Sequence, residues 1–186
     1  MDDCLNEKSG KNLIKQITRE TGVVLHDCYQ CGKCSAGCPM AHAMDLMPRE
    51  VVHYMQLGMM DEVLKSKTIW LCATCHTCVD RCPNDIDIPS LMEKSRQEAK
   101  RRGLVAVKEV DRFNDIFMEN VKLFGKSQEV ILEGLYNVST GHFIQDMENV
   151  PHMLSHKLIG IKPVMIRDRG AVQKIIRKTM KDKKKK

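Results

Sequence analysis

The chain has 186 residues, enough for one domain or for a small domain with long extensions, and it carries 9 cysteines and 13 methionines but few aromatic residues. No run approaches the roughly 18 uncharged apolar residues that a membrane span needs, and residues 1–15 contain no apolar signal-peptide core. Residues 167–186 hold ten Lys and Arg against two Asp, so the net charge of +6 leaves the other 166 residues at −2. We therefore expect a protein of the reducing cytoplasm, where disulfides are rare, with a basic tail.

The first half of the chain is expected to be helical. Apolar periodicity predicts a helix over about residues 11–20, ended by Gly22. In residues 39–71 Pro48 suits the first turn of a helix, a second short helix follows near Val63, and there is no period-two strand pattern. Ser90 and Glu93 form a capping-box pattern that predicts a helix to about residue 102, ended by Gly103.

The second half is also expected to be helical. A helix is predicted over about residues 105–124, with a stripe of apolar side chains that includes Phe113 and Phe117, and Gly125 ends it. Ser127 is expected to cap a short successor, and residues 137–167 to form loops and helical turns. A last amphipathic helix has one basic face, and residues 181–186 are expected to be disordered.

Eight of the nine cysteines form two groups of identical spacing. The first reads Cys28-x2-Cys31-x2-Cys34-x3-Cys38-Pro39, and the second reads Cys72-x2-Cys75-x2-Cys78-x3-Cys82-Pro83. The groups are offset by 44 residues, and each is followed by an Asp, an apolar residue and a Pro before a helix. This internal repeat predicts two loop–helix units related by a pseudo-twofold axis.

This spacing is typical of ligands to two [4Fe–4S] clusters, in which three cysteines of a run bind one cluster and the fourth binds the other. Cluster I is therefore expected to take Cys28, Cys31, Cys34 and Cys82, and cluster II to take Cys72, Cys75, Cys78 and Cys38. Such an exchange of fourth ligands would tie the two loops together. With all eight ligands filled, no iron is left open for substrate, so no catalytic residue is predicted on this chain.

Zinc is the structural alternative, but zinc sites usually use separated pairs of cysteines. A zinc site would leave the third cysteine and the Cys-Pro end of each group unexplained. Cys4 is expected to be an incidental free thiol. His76 lies inside the second group and is not needed as a ligand, and Trp70 is expected either to shield cluster II or simply to fill the core.

The neighbourhood of the motifs resembles the α-helical ferredoxin domain, which also occurs in iron–sulfur subunits of succinate dehydrogenase, fumarate reductase, anaerobic glycerol-3-phosphate dehydrogenase and glycolate oxidase. Residues 20–103 resemble the family of heterodisulfide reductase C subunits from methanogenic archaea. The residues that carry this resemblance are Cys28-Tyr29-Gln30-Cys31-Gly32-Lys33-Cys34-Ser35-Ala36-Gly37-Cys38-Pro39, Met47-Pro48-Arg49-Glu50, Gln56-Leu57-Gly58, Thr68-Ile69-Trp70-Leu71-Cys72-Ala73-Thr74-Cys75-His76-Thr77-Cys78 and Arg81-Cys82-Pro83.

The resemblance implies a mainly α fold. It divides the chain into an N-terminal helical extension (1–22), an α-helical ferredoxin domain with two [4Fe–4S] clusters (23–103), a helical partner-docking region (104–180) and the basic tail (181–186).

The resemblance also implies a non-catalytic electron-transfer subunit of an oxidoreductase complex. It would relay electrons from a flavin-containing A subunit to a B subunit that reduces the CoM-S-S-CoB heterodisulfide in methanogenesis, within an assembly linked to a hydrogenase or a formate dehydrogenase. The chain has neither a dinucleotide-binding glycine motif nor the doubled-cysteine motifs expected of the B subunit.

Two other functions stay open at this point. One is an iron–sulfur subunit of a succinate/fumarate, glycerol-3-phosphate or glycolate oxidoreductase, which would differ in its partners. The other is a nucleic-acid-binding protein with a structural cluster, but the basic tail has no interleaved aromatic residues for base stacking. We therefore expect no nucleic-acid partner.

Overall fold

A computed structural model describes residues 2–141, 155–156 and 165–184, with the backbone alone for residues 2–9 and 180–184. Every regular element in these residues is helical, and no strand occurs among them, which confirms the mainly α fold. The α-helices are α1 (Asp2–Thr21), α2 (Lys33–Ala36), α3 (Pro48–Gln56), α4 (Met60–Lys65), α5 (Thr68–Leu71), α6 (Thr77–Asp80), α7 (Ile88–Arg101), α8 (Lys108–Phe124), α9 (Glu129–Thr140) and α10 (Arg169–Lys184). Short 3-10 turns occupy Leu25–Asp27 and Ala41–Ala43.

The chain divides into two compact units, Met1–Lys108 and Glu109–Lys186. In the first unit α1 packs against α4 and α7, and Leu13, Ile14 and Ile17 of α1 are buried. The expected N-terminal extension is therefore packed into the core of this unit. Helix α1 begins at Asp2, well before the predicted start near residue 11.

The core of the first unit lies between α1, α3, α4, α5 and α7. Three of its methionines are nearly inaccessible, since Met55, Met60 and Met92 are 1–2% exposed. Flexible, polarisable methionine side chains fill gaps between helices of different direction. Cys28, Cys72, Cys78 and Cys82 pack against this core, so both cysteine loops are anchored to it.

The start of α7 corrects a prediction. The capping-box pattern predicts Ser90 as the N-cap, but the helix begins at Ile88 and its N-cap is Asp87. The Asp87 carboxylate accepts a hydrogen bond from the Ser90 N–H at 3.1 Å. A carboxylate at the N-cap satisfies a free helix N–H, and Pro89 fits the first turn because no N–H is needed there. The predicted end is confirmed, with Gly103 at a φ of 74° after Arg101.

The second unit contains α8, α9 and α10. The buried positions of α8 are Ile116 and Asn120, whereas Phe113 and Phe117 of the predicted stripe are 40% and 37% exposed. Phe113 instead makes an edge-to-face contact with Tyr136 of α9, with ring centroids 5.6 Å apart. Asn120 is buried where its side-chain amide forms two hydrogen bonds with the backbone of Gln128, the residue before α9.

The other predictions for this unit are met in part. Gly125 ends α8 at a φ of 83°, and α9 begins after Gln128 rather than after Ser127. Most of residues 137–167 and the end of the expected disordered tail, residues 185–186, lie outside the described residues. The backbone of residues 181–184 continues α10.

Candidate metal centres

The two cysteine loops, residues 28–38 (the first loop) and 72–82 (the second loop), have the same backbone conformation. Gln30 and Thr74 stand at matching positions with φ of 61° and 50°, and Gly32 and His76 match with φ of 82° and 59°. A one-turn helix follows in each loop, α2 in the first and α6 in the second. Residues with positive φ bend the chain tightly around the cysteines.

The hydrogen bonds after each bend also repeat with the offset of 44 residues. The Gly32 carbonyl accepts the Ser35 N–H at 3.1 Å, and the His76 carbonyl accepts the Val79 N–H at 2.8 Å. The same correspondence holds for the N–H groups of the fourth cysteines, which donate to Ser35 and Val79 at 3.2 and 2.9 Å. The sequence repeat is therefore a repeat of three-dimensional structure.

One cavity collects cysteines from both loops. Cys72, Cys75 and Cys78 of the second loop line it together with Cys38 of the first. Its wall is otherwise mostly apolar and includes Pro39, Met44, Pro48, Ile88, Pro89 and Met92, with His76 at the same cavity. The structure thus brings together the four cysteines expected to hold cluster II.

The remaining four cysteines lie at the first loop. Desolvation raises the pKa of Tyr29, and the neighbouring Cys31 and Cys82 raise it further, so both cysteines lie beside one phenol group. Burial raises the pKa of Cys34, and the nearby Cys28 adds to this rise. Cys82 is therefore adjacent to the first loop although it follows the second in sequence.

The two sets of cysteines are close to each other. Burial raises the pKa of Cys78 to about 12, and among the groups that add to this shift are Cys72 of its own loop and Cys34 of the first loop. Cys34 and Cys78 are the third cysteines of their groups and occupy matching positions. A short separation is what electron transfer between two centres requires.

Donors surround several of the sulfur atoms. The Ile86 N–H donates to Cys82 Sγ and the Gln30 side chain donates to Cys28 Sγ, both at 3.4 Å. The Thr77 hydroxyl lies 3.4 Å from Cys75 Sγ and, with the Thr77 N–H, lowers the pKa of that thiol. Such donors stabilise the negative charge of thiolate ligands and tune the potential of a bound cluster.

Two side chains that the sequence patterns do not mark as functional, those of Gln56 and Arg96, hold the loops in place. Gln56 of α3 donates to the carbonyls of Leu25 and Cys28 at 2.7 and 2.9 Å. Arg96 of α7 donates to the carbonyls of Ile69 and Cys72 at 2.6 and 2.9 Å. No local signal marks these residues, because each contact spans 24–31 residues of sequence.

Asp45 joins the segment after the first loop to the helix before the second. Its carboxylate accepts the N–H groups of Lys67 and Thr68 at 2.8 and 3.0 Å, at the start of α5. Partial burial acts to raise the pKa of Asp45, but these hydrogen bonds outweigh it and the pKa is lowered. The carboxylate therefore positions α5, which leads directly to Cys72.

Trp70 is 2% exposed and belongs to the core, and no partner for its indole N–H is found among the described residues. This burial is compatible with both predicted roles of Trp70. The side chain of Cys4 lies outside the described residues.

The residues present fit two [4Fe–4S] clusters. The eight grouped cysteines are free thiols, and the cavity of the second set has an apolar wall with cysteines from both loops. Among the side chains that the structure describes, no three His, Cys, Asp or Glu converge as ligands of a single metal ion would. The thiols that burial keeps protonated would release their protons on binding metal.

Residues 24–86 match the family model of the 4Fe-4S dicluster domain. The chain is therefore an iron–sulfur protein with two [4Fe–4S] clusters, as its cysteine spacing predicted.

The named relatives are subunits of heterodisulfide reductases, which confirms the predicted resemblance. The chain is 36% identical over 105 residues to the iron-sulfur C subunit of the CoB--CoM heterodisulfide reductase of Methanopyrus kandleri, covering 56% of this chain and 54% of the relative. It is 39% identical over 82 residues to the C2 subunit of the H(2)/formate:CoB-CoM heterodisulfide,ferredoxin reductase of Methanococcus maripaludis, covering 44% of each. The chain spans about half the length of the curated relatives it matches.

Among the described residues, no helix combines the length and the apolar character that crossing a membrane would require.

Proposed function

We propose that this chain is the electron-transfer iron–sulfur subunit of a heterodisulfide reductase complex. In this proposal it accepts electrons from a flavin-containing A subunit and passes them to a B subunit that reduces the CoM-S-S-CoB heterodisulfide. The assembly would be linked to a hydrogenase or a formate dehydrogenase and would work in the cytoplasm. The names of the relatives support the type of complex.

The observation that carries this proposal is the cavity in which Cys38 meets the three cysteines of the second loop. We assign Cys72, Cys75, Cys78 and Cys38 to cluster II, and Cys28, Cys31, Cys34 and Cys82 to cluster I. When bound, the clusters supply one-electron carriers. In this proposal the two sets lie close together, which the influence of Cys34 on the pKa of Cys78 supports, and the mostly apolar wall of the cavity limits contact with water.

We propose no substrate site on this chain. Four cysteines per cluster complete the coordination of every iron, so a substrate would find no open position. The chain would therefore only transfer electrons between its partners, and the heterodisulfide would be reduced on the B subunit.

The first experiment measures the cofactor. We expect about eight iron and eight acid-labile sulfide per chain in anaerobically purified protein, and two interacting centres in the EPR spectrum after reduction with dithionite. About four of each would contradict the assignment of two clusters to these eight cysteines.

The second experiment identifies the partners. The tagged chain is purified without oxygen from its native host, with a tagged Cys38→Ser/Cys82→Ser variant as a control for cluster-dependent assembly. We expect a flavoprotein and a heterodisulfide-reducing protein to co-purify with the unmodified chain. Co-purification with a succinate, fumarate, glycerol-3-phosphate or glycolate flavoprotein instead would overturn the proposal.

A further inference from the structure

Gln56 and Arg96 make equivalent contacts in the two halves of the repeat. Each lies on a helix that follows its cysteine loop and donates two hydrogen bonds to backbone carbonyls at the start of that loop. The acceptors of Gln56 are the carbonyls of Leu25 and Cys28, and those of Arg96 are the carbonyls of Ile69 and Cys72, 44 residues further on in each case. The two side chains therefore hold the starts of the two loops in the same way.

They differ in charge. The amide of Gln56 is neutral, whereas the guanidinium of Arg96 is always protonated. Both side chains are half-buried, so the charge of Arg96 is only partly screened by solvent. The guanidinium donates to the carbonyl of Cys72, the first cysteine of the second set.

Other charges near the loops are exposed. Arg49 lies beside Gly32 and Arg81 beside Gly37 of the first loop, and Asp80 lies beside Cys75 of the second. All three are solvent-exposed, where the high dielectric and dissolved salt weaken their effect. Arg96 differs from these three charges because it is half-buried.

We propose that Arg96 makes the cluster of the second loop the more easily reduced of the two, so that an electron entering this chain settles at Cys72, Cys75, Cys78 and Cys38. Reduction adds one negative charge to a cluster, and a half-buried cation beside it stabilises the reduced form. The inference rests on the cluster assignment in the proposed function. An electron on this chain would then rest at the second loop rather than at the first.

The test is an EPR-monitored redox titration of the cluster-loaded chain with Arg96→Gln, which places glutamine at both equivalent positions. We expect the equilibrium constant for reduction of the second-loop centre to fall about tenfold, which lowers its potential by about 59 mV for one electron. The potential of the first-loop centre should stay unchanged. Arg96→Lys keeps the positive charge, so the potential of the second-loop centre should stay close to its wild-type value. Gln56→Arg is the reciprocal variant and should make the first-loop centre easier to reduce.

Arg49→Gln is the matched control, because it removes an exposed arginine next to the first loop. It should shift neither centre by a comparable amount. The inference is overturned if Arg96→Gln shifts neither centre or both equally, if Arg49→Gln has as large an effect, or if the shifted centre is not the one that Cys75→Ser perturbs. An iron count of about four per chain would instead contradict the cluster assignment itself.

Discussion

Gly32 and His76 occupy the same position in the two cysteine loops and share a left-handed backbone, with φ of 82° and 59°. Glycine adopts this conformation freely, whereas an L-residue with a Cβ loses about 1–2 kcal/mol there. The second loop therefore carries strain that the first avoids, at a residue that also lines the cavity of the second set. Such strain is often retained where a side chain serves the site.

His76→Gly is expected to stabilise the chain by about 0.5–1 kcal/mol, the relief of strain less the extra freedom of glycine in the unfolded state. Gly32→Ala should destabilise it by about 1 kcal/mol, the cost of a Cβ in this left-handed conformation. No clash adds to this cost, since the nearest atom to the added Cβ is Arg49 Nη1 at 3.8 Å. Anaerobic thermal unfolding measures both. A loss of stability in His76→Gly at unchanged iron content would show that the imidazole makes stabilising contacts.

Asp45→Ala should destabilise the first unit by about 1–2 kcal/mol, because α5 loses the carboxylate that caps its first N–H groups. Asp45→Asn keeps one acceptor oxygen and should lose about half as much. Thermal unfolding at matched iron content measures the series, and equal losses for the two variants would contradict a capping role.

The lowered pKa of Asp45 also determines the pH range in which its carboxylate stabilises the fold. A carboxyl group with a lowered folded pKa contributes stability above its unfolded pKa and loses it as the pH falls through the folded value. The difference between wild type and Asp45→Ala should therefore be constant between about pH 6 and pH 8. A difference that changes across this range would indicate another titrating group.

Cys38→Ser is expected to perturb the centre of the second loop and Cys82→Ser that of the first, because we assign each of these cysteines as the fourth ligand of the other loop's set. Iron analysis and EPR of the reduced protein distinguish the two centres. Cys4→Ser is the control, and its iron content should equal that of the wild type. If Cys38→Ser perturbs only the first-loop centre, the ligands are not exchanged between the loops.

Asn120→Ala should destabilise the second unit by about 1–3 kcal/mol. Asn120 is 1% exposed, donates to the Gln128 carbonyl at 3.1 Å and accepts the Gln128 N–H at 2.8 Å. Removing the amide leaves buried backbone groups without these partners. The control is Asn114→Ala, at an exposed position of the same helix, which should change stability by less than about 0.5 kcal/mol. Hydrogen exchange measures both variants, and comparable losses of protection would refute the role of Asn120.

Local patterns predicted much of the fold. Gly103 and Gly125 end α7 and α8 where expected, and Pro48 begins α3. They do not predict boundaries that depend on a choice between neighbouring caps, since Asp87 rather than Ser90 starts α7. They also do not predict the buried face of α8, because hydrophobic periodicity carries no information on the hydrogen bonds between Asn120 and Gln128.

The sequence by itself determined the chemistry of this protein. The spacing of eight cysteines identifies two [4Fe–4S] clusters, because the ligands within each run are close in sequence and one loop can present them. The same spacing predicts that Cys38 joins the second set, and the fold brings it to the cavity of Cys72. Only the tertiary structure placed neutral Gln56 and charged Arg96 at equivalent carbonyls. These relationships join residues 24 or more positions apart, and the packing of α3 and α7 against the core sets them rather than any local propensity.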